Sequence, residues 1–193
     1  MNSYGGYSKK GYAPYNPKKK NQDALVMAED PKTRSLLLCV MDGHGEDGDK
    51  VSQNIKSKFA SYLFKHPEFA GNVKTALTDV IARCEQEILR GKLFRVAKLS
   101  SSKCNNPYDF LTIFSSAEST VETDFSGTTF TCAIIRDNKC IMANIGDSRT
   151  SLGYRNAQGG ITAVSLTIDH KPDLPAEKVS HTRIIFGCDI SIF

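Results

Sequence analysis

A chain of 193 residues with a net charge of +4, 40% hydrophobic and 24% charged, is long enough for one domain with a sizeable core. Its composition is that of a soluble globular protein. The longest strongly apolar run, Leu36 to Met41, is far short of the roughly 20 residues that span a bilayer, and no apolar signal region opens the chain. No membrane partner is expected. Six cysteines occur, at 39, 84, 104, 132, 140 and 188. None forms a CxxC pair, which argues against zinc. Reduced, buried thiols fit a cytoplasmic and/or nuclear protein.

Residues 1–9 are expected to be a disordered tail, and the chain to Lys20 an extended lead-in shaped by Pro14 and Pro17. Much of the positive excess sits here, at Lys9, Lys10, Lys18, Lys19 and Lys20. It reads as a solvated basic stretch, and no nucleic-acid partner is expected. Ala24 to Ala28 predicts a strand, Glu29 to Lys32 a turn, and Ser35 to Met41 the partner strand. Antiparallel pairing would bring Asp23, at the start of one, beside Asp42, at the end of the other.

Asp47 or Asp49 is the expected N-cap of a first helix, with Val51, Ile55, Phe59, Tyr62 and Leu63 on its apolar face up to His66-Pro67. A second helix carries Val73, Ala76, Leu77, Val80, Ile81, Cys84, Ile88 and Leu89, and Gly91 is its expected stop. Residues 92–123 read as a loop insertion. Strands are then expected at 128–135 and 139–145, turning on Arg136-Asp137-Asn138, and at 150–154 and 161–168, turning on 156–160.

Asp23, Asp42 and Asp147 each stand at an expected strand end beside Gly or a small polar residue. Carboxylates meeting at one place repel, so their convergence would need a cation, and hard oxygen ligands favour Mg²⁺ or Mn²⁺. An EF-hand is excluded because His44 and Asp47 stand at its third and sixth loop positions. No Gly-rich phosphate loop of kinase or P-loop type is present, and no GxSxG elbow.

Five segments occur in order: Asn21-Gln22-Asp23, Val40-Met41-Asp42-Gly43-His44-Gly45, Phe125-Ser126-Gly127-Thr128-Thr129, Ala143-Asn144-Ile145-Gly146-Asp147-Ser148-Arg149, and Leu166-Thr167-Ile168-Asp169-His170-Lys171-Pro172. Together they resemble the metal-dependent protein serine/threonine phosphatases of the type 2C, or PPM, family. The resemblance covers residues 10–178, the N-terminal part of such a catalytic domain. It implies an α+β fold, two antiparallel β-sheets in a sandwich flanked by helices. It also implies two Mg²⁺ or Mn²⁺ ions, with Asp42 bridging them, Gly43 giving a backbone carbonyl, Asp23 holding one ion and Asp147 serving a further metal site. His44 would be the general acid and Lys18 a phosphate-binding cation. Phosphorylated proteins would be the substrates and the chain a monomer. His170 is read as ordering its turn.

Three departures bear on these roles. Gln22 stands where many relatives carry Glu, and Lys18 where many carry a phosphate-binding Arg. Lysine attracts phosphate but cannot grip it bidentately. Residues 179–193 read as a divergent tail, and the family's later Asp-Gly-x-Trp-Asp-like and Asp-Asn segments are missing. The expectation is therefore a truncated domain with part of the metal cage, and loss of activity is one outcome it allows. The alternatives are a non-catalytic phosphatase-like binding protein and a phosphatase of small phosphomonoesters.

Overall fold

The computed structural model describes residues 3–101, 121, 124–171, 173, 175 and 189–192. Strand β1 (Asp23–Asp30) turns into β2 (Ser35–His44). Helices α1 (Gly48–Lys65) and α2 (Val73–Ser101) follow, joined by a short 3-10 turn at Pro67–Phe69. Then come β3 (Gly127–Thr128), β4 (Phe130–Arg136), β5 (Lys139–Ile145), β6 (Ser151–Arg155), β7 (Ile161–Ser165) and β8 (Asp189–Ile192).

The fold is α+β with two antiparallel sheets, as the resemblance implies. The main sheet runs β1-β2-β4-β5-β8, with β3 pairing the end of β2. The second sheet, among the described residues, is the β6–β7 hairpin, and its Leu152, Tyr154, Ile161 and Val164 are exposed.

Period-two alternation builds the main sheet's core face. Ala24, Val26, Leu37, Cys39, Met41, Phe130, Cys132, Ile134 and Ala143 are buried against the helices. Helix α1 lies on β1 and β2 through Val51, Ile55, Phe59 and Leu63, and α2 packs on α1 through Ala76, Leu77 and Val80. The Phe59 ring meets Phe130 at 4.7 Å between centroids. On the helix surface Glu87 receives Lys58 at 3.1 Å, Arg83 at 3.1 Å and the Tyr62 hydroxyl at 3.2 Å, which pins α2 to α1. At the end of the sheet away from Asp42, Arg136 donates to Ser35 Oγ at 2.7 Å and to the carbonyls of Phe69 and Ala70, each at 2.9 Å. The β4–β5 turn puts Asp137 and Asn138 at φ 48° and 62°, the left-handed pair that a tight two-residue hairpin needs.

The structure adds to or departs from the sequence expectations in four places. Helix α2 does not stop at Gly91 but runs to Ser101. One glycine inside a helix costs only about 1 kcal/mol relative to alanine, and Leu93, Arg95, Ala97, Lys98 and Leu99 are good helix formers. The expected loop is thus helical from residue 92 as far as Ser101, and most of the remaining expectation lies outside the described residues. Asp47, one of the two expected residues, is the N-cap of α1, but its carboxylate makes no cap bond and turns instead to Lys50 at 2.6 Å. The expected disordered tail has contacts: Asn21 donates to Ser8 Oγ at 2.7 Å, and Gly6 lies over Leu25 and Met27 of β1. Finally, the divergent tail supplies β8, which pairs antiparallel with β5.

Cys39, Cys84 and Cys132 are buried thiols outside any disulfide, as the sequence predicts, and Cys140 is half-buried; Cys104 and Cys188 lie outside the described residues. Burial pushes the Cys39 thiol well above its ordinary value and Cys84 up to about 11. Both are therefore inert thiols.

Phe59 is fully buried where α1 meets β4. The substitution Phe59→Ala should cost about 3–5 kcal/mol and lower the melting temperature by roughly 10 °C, read by circular dichroism.

Candidate metal and phosphate site

The register of β1 against β2 places Asp23 directly opposite Asp42. The convergence expected from pairing is present. Both side chains stand on the sheet face away from the helices, at the sheet's edge by the start of α1. Burial raises the Asp42 pKa first. The charge of Asp23, a hydrogen bond between the two carboxyls and the charge of Asp147 raise it further, while His44 opposes. Two carboxyls in hydrogen-bonding reach are favourable only if they share a proton or a cation.

The backbone around Asp42 is fixed from both sides. Its N–H donates to Thr129 Oγ1 at 3.0 Å, and its carbonyl accepts the Thr129 N–H at 2.9 Å. Thr129 Oγ1 also lies 2.6 Å from Ser148 Oγ, beside Asp147. Gly43 donates its N–H to the Gln22 carbonyl at 3.2 Å and is wedged between that carbonyl and the Gly48 backbone, so a Cβ there would collide with both. This close approach seats the turn after Asp42 against the residue before Asp23. Ser52 Oγ donates to the same Gln22 carbonyl at 2.6 Å.

Gln22 donates its side-chain amide to the Gly45 carbonyl at 2.6 Å. A carboxylate could not make that bond at neutral pH, so the glutamine serves the turn. His44 is exposed, pairs with Gly127 in the ladder and lays its ring on that glycine. Asp47 donates its N–H to Ser126 Oγ at 3.0 Å.

Asp147 is exposed in the turn after β5, near enough to act on Asp42 by charge but not paired with it. Its turn is held by Asn144, which donates to the carbonyls of Gly146 and Ile168 at 3.2 and 3.0 Å. His170 Nδ1 accepts the Gly146 N–H at 3.3 Å, and the His170 N–H donates to the Gly146 carbonyl at 2.9 Å. His170 thus orders its turn, as read from the sequence. Arg149 grips Asp169 with two bonds of 2.8 and 2.7 Å at the side of a cavity of about 390 Å³. Lys18 is exposed in the turn-bearing segment before β1. Lys20, two residues on, reaches the site loop and pairs with Asp49 at 3.0 Å.

Asp23 and Asp42 are therefore brought together, with Gly43 and His44 adjoining, whereas Asp147 flanks and Lys18 is exposed in the lead-in before β1. Among the described residues no group of three His, Cys, Asp or Glu side chains could hold a metal ion unaided. The Asp23–Asp42 pair is nevertheless a hard oxygen donor set whose repulsion a divalent cation would relieve. Residue-by-residue reading overlooked the supporting roles of Thr129, Ser148, Ser126 and Gly127. The signal for three of them was the Phe125–Thr129 segment, whose hydroxyls and glycine have no core-packing explanation; Ser148 lies in the Ala143–Arg149 segment beside Asp147.

This is the fold and acidic edge of a phosphatase-type domain, and the comparisons with known proteins agree. Residues 17–184 match the family model described as "Protein phosphatase 2C". The chain belongs to the protein phosphatase 2C family. It is 33% identical over 160 residues to "Probable protein phosphatase 2C 72" of Arabidopsis thaliana, covering 81% of this chain and 43% of that protein. It is 30% identical over 182 residues to "Probable protein phosphatase 2C 21" of Oryza sativa subsp. japonica, covering 91% and 48%. The chain thus spans about half the length of these relatives. In fold it is similar to the Mycobacterium tuberculosis serine/threonine phosphatase PstP/Ppp, with a TM-score of 0.58 at 16% identity over 97% of this chain and 71% of that one. The Staphylococcus aureus serine/threonine phosphatase Stp1 is similar too, with a TM-score of 0.55 at 18% identity over 96% and 68%.

The raised Asp42 pKa has a sign that can be tested. The folded, metal-free chain holds this proton more tightly than the unfolded one, so the contribution is present below the ordinary carboxylate pKa. It is lost as pH rises through Asp42's raised value. Metal-free protein should lose stability over that window. Asp42→Asn should remove the dependence and leave the neutral-pH melting temperature unchanged or up to about 3 °C higher. Scanning fluorimetry at stepped pH checks this.

Proposed function

We propose that the chain is a protein serine/threonine phosphatase domain. It would hydrolyse phosphoserine and phosphothreonine esters in one step with water as nucleophile. The observation that carries the reading is the Asp23–Asp42 pair at the end of β1 and β2, in a chain of the protein phosphatase 2C family.

Asp42 and Asp23 would hold Mg²⁺ or Mn²⁺, with the Gly43 carbonyl beside them and Asp147 flanking for a further ion. Such ions, when bound, supply the Lewis acidity that lowers the pKa of water and offsets phosphoryl charge. Two ions are expected in a complete site. The chain's own residues do the rest. Thr129 fixes the backbone from which the Asp42 carboxylate projects. His44, one residue beyond Gly43, gives a proton to the departing serine or threonine oxygen. Lys18 attracts the phosphate by charge. Phosphoprotein substrates, a monomeric state, a cytoplasmic or nuclear setting and the absence of nucleic-acid or membrane partners belong to the same proposal.

The test is a Mn²⁺-dependent assay on a phosphothreonine peptide. Turnover should fall at least about 100-fold in Asp42→Ala, the scale of losing Lewis-acid chemistry. Turnover equal in wild type and Asp42→Ala would overturn the reading. Mn²⁺ should also raise the melting temperature of the wild-type chain by ligand linkage. The rise should disappear in Asp42→Asn, whether or not turnover is seen.

A further inference from the structure

We propose that Gly127 is a positioning residue that sets the direction of the His44 imidazole. The inference rests on the reading of His44 as proton donor.

A Cβ built on Gly127 would lie 2.8 Å from His44 Nε2, 3.0 Å from Cε1 and 3.8 Å from Cδ2. The 2.8 Å approach is closer than real Cβ atoms come to another heavy atom, and 3.0 Å is already tight. The imidazole therefore rests on the bare Cα of residue 127, and only glycine leaves room for it. Gly127 is not itself placed there by chance: β3 pairs with the end of β2 through His44–Gly127 and Gly43–Thr128. On either side, Ser126 takes the Asp47 N–H and Thr129 clamps Asp42. The same short segment thus holds the metal-pair strand and the histidine after it.

The backbone of Gly127 lies outside the positive-φ region, so alanine can adopt it. The obstacle is the ring alone. His44 is exposed, so it can swing into solvent at little cost to folding. In Gly127→Ala the sheet, Thr129 and the Asp23–Asp42 pair stay as they are, and the imidazole leaves its seat. The expected damage is confined to proton delivery.

That confinement is measurable. An alkoxide leaving from phosphothreonine needs a proton, whereas p-nitrophenolate is a weak base that leaves without one. In Gly127→Ala, kcat on a phosphothreonine peptide should fall by about 100-fold, the usual scale of general-acid catalysis, and kcat on p-nitrophenyl phosphate by less than about 3-fold. In a His44→Ala background the same substitution should cost nothing further, since both act through one group. Equal losses on both substrates, or an additive loss in the double variant, would overturn the proposal. A readout independent of turnover uses the metal-free wild-type chain. Nuclear Overhauser contacts should join the Gly127 Hα protons to the His44 ring, and their absence would overturn it even if Gly127→Ala fails to fold. A chain that hydrolyses neither substrate would count against the phosphatase reading, while the ring contact would still decide the seat of His44.

Discussion

Two negative charges that should avoid one another are held side by side, and the local structure is built to hold them. Asp23 and Asp42 sit opposite each other because β1 and β2 are antiparallel and the turn between them is short. The ladder fixes where both backbones stand. Gly43 is pressed on the Gln22 carbonyl, and Thr129 bonds Asp42 through both its N–H and its carbonyl. The cost of ionising both, from burial first and the charge of Asp23 second, raises the Asp42 pKa. It is the physical basis for expecting a divalent cation.

The restraint on Asp42 comes from far along the chain. Thr129 follows two helices and a long connection, and it arrives beside β2 because β4 pairs with β2 in register. That pairing is stabilised from below, where Phe130 meets Phe59 of α1. Helix packing and site geometry are thus one problem: the aromatic contact under the sheet helps position the hydroxyl that fixes the carboxylate above it. Ser148 and His170 extend the arrangement to the turn that carries Asp147.

The two faces of the main sheet differ. One is sealed by α1 and α2. The other carries Leu25, Met27, Leu38 and Val40, with Val40 half exposed at 51%. The β6–β7 hairpin likewise shows Leu152, Tyr154 and Val164 to solvent. Relatives about twice as long as this chain share its family, and the site residues described here are the ones contributed by its own β1, β2 and β5 ends.

Much was legible from residues alone. Strand alternation, helical periodicity and turn residues located β1, β2, α1, β4 and β5, because each reports a local preference. The meeting of Asp23 with Asp42 was legible too, since antiparallel pairing across a short turn leaves little freedom. Other features depended on contacts between distant segments. Gly91 looked like a helix stop, but its local penalty was outweighed by the helix formers around it. Residues 189–192 looked foreign to the pattern, yet β5 had a free edge for them to pair with. The seat of His44 on Gly127, the clamp of Thr129 on Asp42 and the link from Gln22 to Gly45 are steric and hydrogen-bonding relations that no single segment encodes. The chain alone determined which acids could meet; the folded sheet decided how tightly they and their histidine are held, because only packing brings residues 43–45 against residues 125–129.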